Sequence, residues 1–83
     1  MINMEVLVLG NRENIFNDVV DEAILPCGDG EVSIWDFHLP CLLMLKEGKV
    51  TLKSKKLKED FFIQDGLARF EGNRLAVICN IKG

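Results

Sequence analysis

The sequence contains no tyrosine, a single tryptophan and a single histidine, and its aromatic share is only 7%. One histidine and two serines, Ser33 and Ser54, leave little material for nucleophilic catalysis, and neither serine stands in a Gly-x-Ser-x-Gly frame. An excess of basic charge is also missing. Ten Lys and Arg against thirteen Asp and Glu give a net charge of −3, and phosphate neutralisation supplies most nucleic-acid affinity, so no nucleic-acid partner is expected. The longest apolar run, Leu39 to Leu45, is seven residues with Pro40 inside it, against about 20 for a membrane-spanning helix. No transmembrane segment is therefore predicted. Met1-Ile2-Asn3-Met4-Glu5 has neither a basic n-region nor an apolar h-region, so the chain is expected to be soluble and without a signal peptide.

Cysteine is sparse and odd in number. Cys27, Cys41 and Cys79 include no Cys-x-x-Cys pair, which favours a reducing compartment over a disulfide framework. Each is expected to behave as a small buried hydrophobe, since no basic neighbour marks a reactive thiol. One His and three scattered Cys also lack the ligand spacing of a zinc motif. No metal or cofactor is predicted.

What is abundant is aliphatic. Hydrophobic residues make up 48% of the 83, with fourteen Val and Ile but three Ala, a composition that favours strands over helices. A chain this short buries roughly 60–65% of its unfolded surface, so one domain over residues 1–83 is the expected organisation.

Hydrophobic alternation then places the strands. Ile2, Met4, Val6 and Val8 share one face, closed by a Gly10-Asn11-Arg12 turn. Ile15-Phe16 reads as a short strand ended by Asn17-Asp18. Val19, Ala23 and Leu25 alternate against Val20, Glu22 and Ile24 up to Pro26 and the Cys27-Gly28-Asp29-Gly30 turn. Val32 and Ile34 form a brief strand, followed by irregular chain from Trp35 to Pro40. Leu42 to Leu45 reads as a strand buried on both faces. Val50 to Lys53 and Leu57 to Ile63 flank a polar tip, Ser54-Lys55-Lys56. Asp65-Gly66 reads as a turn, Leu67 to Phe70 as a strand, Glu71-Gly72-Asn73 as the last hairpin, and Arg74 to Ile81 as the final strand. No segment sustains a helical period. Turn signals at this spacing predict an all-β fold, a flattened sandwich or barrel of roughly eight to ten short, mostly antiparallel strands.

None of the local motifs assembles a reaction centre. Cys41 and His38 lie three residues apart, which on extended chain points them to opposite faces. Gly28-Asp29-Gly30 lacks the Lys-Ser/Thr end of a phosphate loop, and Asp29 and Glu31 would repel phosphate. Lys53, Lys55, Lys56 and Lys58 cluster at the hairpin tip, where lysines are solvated and discourage edge pairing. Trp35 and Phe37 flank Asp36 in a turn-rich loop. They either plug the end of the sandwich or are presented to a partner.

The stretches Ile24-Leu25-Pro26-Cys27-Gly28-Asp29-Gly30-Glu31-Val32-Ser33-Ile34 and His38-Leu39-Pro40-Cys41-Leu42-Leu43 resemble the N-terminal β-sandwich domain of the epsilon subunit of F-type ATP synthases. Gly30-Glu31-Val32-x-Ile34 and His38-x-Pro40-x-Leu42 keep that family's pattern, as do Leu45-Lys46-Glu47-Gly48-Lys49-Val50 and the run from Phe61 to Phe70. Val6-Leu7-Val8 and Phe16-Asn17-Asp18-Val19 also fit, so the resemblance covers nearly the whole chain. Ser33 and Phe37 stand where the family usually has glycine, and Asp36 where it often has proline. A glycine position taken by Phe37 implies a rebuilt loop, strained if its φ is positive.

The resemblance implies a non-catalytic central-stalk (rotor) subunit that links the gamma subunit to the membrane c-ring and supports proton-driven ATP synthesis. Asp29, Gly30, Glu31 and Val32 would face the c-ring; His38, Leu42 and Leu43 would pack on gamma. The site would be peripheral to the membrane, on the cytoplasmic face of a bacterial inner membrane or the equivalent organelle compartment. The chain ends at Gly83 directly after the sandwich pattern, so a short or truncated form without the family's C-terminal helical pair is expected. A stand-alone β-barrel adaptor or peptide-binding module is the alternative reading.

Overall fold

The computed structural model describes residues 4–28 and 30–82. Ile2 of the first expected strand face and Asp29 of the expected c-ring loop lie outside the described residues. Within them there is no helix, and the strands are β1 (Met4–Gly10), β2 (Glu13–Val20), β3 (Glu22–Cys27), β4 (Gly30–Trp35), β5 (Cys41–Leu45), β6 (Gly48–Lys53), β7 (Lys58–Glu71) and β8 (Arg74–Ile81). The all-β expectation is met.

Hydrogen bonding follows the order β2-β1-β8-β7-β5-β3-β4, with β6 joining β3 to β7. The first and last strands, β1 and β8, pair in parallel; the other pairs are antiparallel. β7 organises the whole. Its first half pairs with β6 from Lys58 to Ile63. Its second half, from Gly66 onward, lies between β8 and β5. A bulge between Ile63 and Asp65 separates the two halves and lets one strand bend from one layer into the other. The single Cys27–Leu45 pairing of β3 with β5 closes the ring β3-β6-β7-β5.

Period-2 alternation supplies the core. Met4, Val6 and Val8 from β1 and Leu75, Val77 and Cys79 from β8 meet Ala23 and Leu25 from β3, Ile34 from β4, Val50 and Leu52 from β6, and Ile63, Ala68 and Phe70 from β7. Full burial of a Leu, Ile or Phe contributes about 1.5–3 kcal/mol, so this one cluster carries the fold. Two tight turns use left-handed backbone where the sequence marked turns: Asn11 and Arg12 at φ 52° and 70°, and Gly72 and Asn73 at 61° and 56°.

Five expectations are corrected. Asn17-Asp18 does not end a strand: β2 runs unbroken to Val20 because both side chains lie in solvent on an edge strand, where polar residues carry no burial cost. The break falls instead at Asp21, whose N–H donates to the Lys53 carbonyl at 2.8 Å. That break shifts the parity, so Val20, not Val19, shares the buried side with Ala23 and Leu25. Pro26 does not stop β3; it sits inside the strand, and its carbonyl accepts a hydrogen bond from Lys46 at 3.1 Å.

Asp65-Gly66 is not a turn but the middle of β7. Gly66 is required there by close approach: a Cβ would stand 2.8 Å from the Ile78 carbonyl oxygen and 2.9 Å from Cys79 Cβ. Finally, Leu42 to Leu45 is buried on one face only, with Leu42 64% and Met44 80% exposed. The hydrophobicity of β5 exceeds what this chain covers.

Candidate functional site

The uncovered face of β5 is part of a larger surface. Alternation turns Leu43 and Leu45 toward the core and leaves Leu42 and Met44 outside. Register then continues the outer row across three more strands. Met44 lies opposite Leu67, Leu67 opposite Ile78, and Ile78 opposite Leu9. A second row runs Leu42, Arg69, Ala76, Leu7. Ile78 is 61% exposed and Leu67 also lies open. Met44, Leu67, Ile78 and Leu9 line a groove of about 780 Å³, edged by Arg12, Asp65 and Asn80. The Asn80 amide donates to the Asp65 carboxylate at 2.8 Å, which holds one rim in place. An open apolar sheet face with a polar rim is the signature of a protein–protein contact.

The residues anticipated for gamma contact are divided by the structure. Leu42 is on the open face beside Arg69. Leu43, opposite Ala68, packs against the core and supports the face from beneath. His38 is half-buried at one end, its ring edge-on to buried Phe70 with centroids 6.1 Å apart. Its Nδ1 lies 2.9 Å from the Leu39 carbonyl oxygen, so that nitrogen carries the proton and donates. Trp35, Phe37 and Leu39 around it are exposed. Trp35 and Phe37 therefore do not plug the end of the sandwich.

The loop anticipated for the c-ring lies at the other end. Gly30 and Glu31 are exposed, and Val32 packs partly on the core. β4 runs from Gly30 to Trp35, so the Gly30–Glu31 corner and the aromatic loop are separated by roughly 17 Å at ~3.3 Å per residue. At the Gly30 end, Pro26 and Lys46 tie the β5–β6 turn to β3. Lys82 pairs with Glu47 there, and this hydrogen-bonded cation holds the Glu47 carboxyl below the ordinary 4.5.

Among the described residues, no group of three or more His, Cys, Asp or Glu could hold a metal. All three cysteines are free thiols; burial, helped by nearby Asp65, pushes the Cys79 thiol above its usual value and away from reactivity. Lys55 and Lys56 share their cleft with Asp18 and Asp21, which cancels any anion-binding field. Met44, Leu67, Ile78 and Leu9 were not among the residues expected at a contact surface. The available signal was apolar residues at both parities of β1, β5, β7 and β8.

Fold and surface together define a small β-sandwich domain with one open apolar face. The chain belongs to the ATP synthase delta/epsilon chain β-sandwich domain family, whose model matches residues 3–81. It is 30% identical over 61 residues to the ATP synthase epsilon chain of Pelagibacter ubique, covering 74% of this chain and 47% of that one. It is 28% identical over 80 residues to ATP synthase epsilon chain 2 of Nitrobacter hamburgensis, covering 96% and 59%. The chain thus spans about half to three fifths of the length of these curated relatives. Among solved structures it is similar to a chain of the Tetrahymena thermophila mitochondrial ATP synthase central stalk and c-ring. The TM-score is 0.80 at 15% identity, with 95% of this chain and 64% of that one covered. A chain of the Euglena gracilis mitochondrial ATP synthase gives the same score at 17% identity, covering 95% and 50%. At such identities these likenesses speak for the fold.

Proposed function

We propose that this chain is the sandwich domain of a non-catalytic central-stalk subunit of an F-type ATP synthase, joining the gamma subunit to the c-ring and supporting proton-driven ATP synthesis. The observation that carries this reading is the open row Met44–Leu67–Ile78–Leu9 with Leu42 beside it. Gamma would cover that face and reach the His38 end. The Asp29–Val32 loop, with Glu31 exposed at its corner, would face the polar loops of the c-ring and favour an Arg or Lys there. Two contact regions separated along one strand suit a clamp that transmits torque by rigidity, since the closed β3-β6-β7-β5 ring resists shear.

The domain would sit peripheral to the membrane through its partners, on the cytoplasmic face of a bacterial inner membrane or the equivalent organelle compartment. No helix among the described residues is long and apolar enough to cross a bilayer. The family assignment gives the stand-alone adaptor reading no support.

Co-expression with the cognate gamma subunit tests the proposal. A co-purifying complex is expected, and separation of the two chains at micromolar concentration would overturn it. Glu31→Lys should leave gamma binding intact and weaken assembly onto the c-ring. Equal c-ring assembly by that variant would remove the loop's assigned role.

A further inference from the structure

The loop between β4 and β5 holds a feature that the sheet face does not explain. Phe37 has φ +60°, a left-handed backbone that a bulky side chain avoids, and its ring is 68% exposed. Nothing in the core compensates for that strain, because the ring contributes nothing to the core. The conformation is held both from outside the loop and within it. The Phe37 N–H donates to Asn73 Oδ1 at 2.7 Å. Asn73 is itself fixed in the β7–β8 turn, and its carbonyl accepts the Glu5 N–H at 3.2 Å. Within the loop, the His38 N–H donates to the Trp35 carbonyl at 3.1 Å, and the His38 ring rests on Phe70.

Three tethers therefore hold Trp35, Phe37 and Leu39 outward. Strain maintained by surrounding structure, with large apolar groups facing solvent, marks a preformed contact rather than a packing error. The surface is continuous with the docking face: exposed Leu39 and Pro40 lead directly to exposed Leu42 and Met44. Between the two aromatics, Asp36 encloses one carboxylate oxygen that has no hydrogen-bond partner among the described residues. A buried oxygen without a donor is costly, which adds to the strain stored in this loop.

We propose that Asn73 holds the Trp35–Leu39 loop, strained at Phe37, as a preformed apolar anchor that seats in a pocket of the gamma subunit. This rests on the docking reading above. Asn73 is the positioning residue, and Phe37 supplies the specificity.

Two glycine substitutions in the full chain test it against immobilised gamma, with melting temperatures measured in parallel. Phe37→Gly removes the ring and also the strain, since glycine takes φ +60° freely. Its melting temperature should equal or exceed that of the unsubstituted chain, while gamma affinity falls roughly tenfold or more, as for a buried aromatic hot spot. Asn73→Gly keeps the turn but deletes the acceptor. It should weaken binding about three- to tenfold alone and less than about twofold in the Phe37→Gly background, the non-additivity of coupled residues. Equal gamma affinity of Phe37→Gly and the unsubstituted chain would overturn the anchor while leaving the docking reading standing. A lower melting temperature of Phe37→Gly would make Phe37 a folding residue and overturn it too. Failure of the unsubstituted chain to bind gamma would bring down both.

Discussion

Gly66→Ala is the substitution that most sharply separates the observed strand path from the turn its sequence resembles. Gly66 lies in β7 opposite Leu45 on one side and Cys79 on the other. A Cβ built there would stand 2.8 Å from the Ile78 carbonyl oxygen, 2.9 Å from Cys79 Cβ and 3.2 Å from Cys79 Cα. Two of those atoms are backbone, so the clash is relieved only by separating β7 from β8, and overpacking of this kind costs typically ~1–3 kcal/mol. The same change lowers the entropy of the unfolded chain, which returns about 0.4–1 kcal/mol.

The net loss should be about 1–2 kcal/mol, against a total stability of about 4–12 kcal/mol for a chain of this length. That loss lowers Tm by roughly 5–15 °C at ~4–8 °C per kcal/mol. Gly30→Ala is the internal control, because a Cβ there meets nothing within 4 Å; it should be neutral or slightly stabilising. Urea and thermal unfolding followed by far-UV circular dichroism measure both. Gly66→Ala matching Gly30→Ala in stability would refute the close β7–β8 approach and restore a turn at Asp65-Gly66.

Two other outcomes follow from the same geometry. Glu47, held below 4.5 by Lys82, contributes stability that is present above its unfolded pKa and is lost as pH falls through the lower folded value. Lys82→Met should flatten that acid limb in urea titrations below about pH 4.5 and lower the stability at pH 7 by the same small amount, as for an exposed ion pair. Cys79, buried and with its thiol pushed up, should react with an aromatic disulfide reagent only as fast as the domain unfolds, whereas the half-buried Cys27 and Cys41 react in the folded state. Rapid modification of all three thiols without denaturant would contradict the core assignment.

Much of the fold was legible because single residues carry single meanings in it. Met4, Val6 and Val8 alternate over a half-buried strand, and Gly72-Asn73 can adopt the left-handed turn that the last hairpin requires. Where a residue has two physical uses, the sequence was ambiguous. Gly66 serves a close approach rather than a turn, and Asn17-Asp18 are tolerated on an exposed edge rather than ending it. The docking face was half-visible for a related reason. Leu42 to Leu45 is equally apolar whether its outer side is covered by this chain or by another, so only the register against Leu67 and Arg69 shows that Leu42 and Met44 are bare. The strain at Phe37 was foreseeable from a bulky residue at a glycine position. Its tether to Asn73, 36 residues away, was not.

The central claim is that the Leu42–Met44 face binds gamma. Its most direct test is the gamma affinity of Met44→Asp and Leu42→Asp, each checked for unchanged unfolding in urea, with Leu43→Asp as the inward-facing comparison. The first two should keep their stability to within about 0.5 kcal/mol, as exposed substitutions do. Both should lose gamma affinity roughly tenfold or more, the loss expected of central interface residues. Leu43→Asp, which sets a charge against the core, should unfold the domain or nearly so. A stably folded Met44→Asp variant that binds gamma as tightly as the unsubstituted chain would contradict that claim.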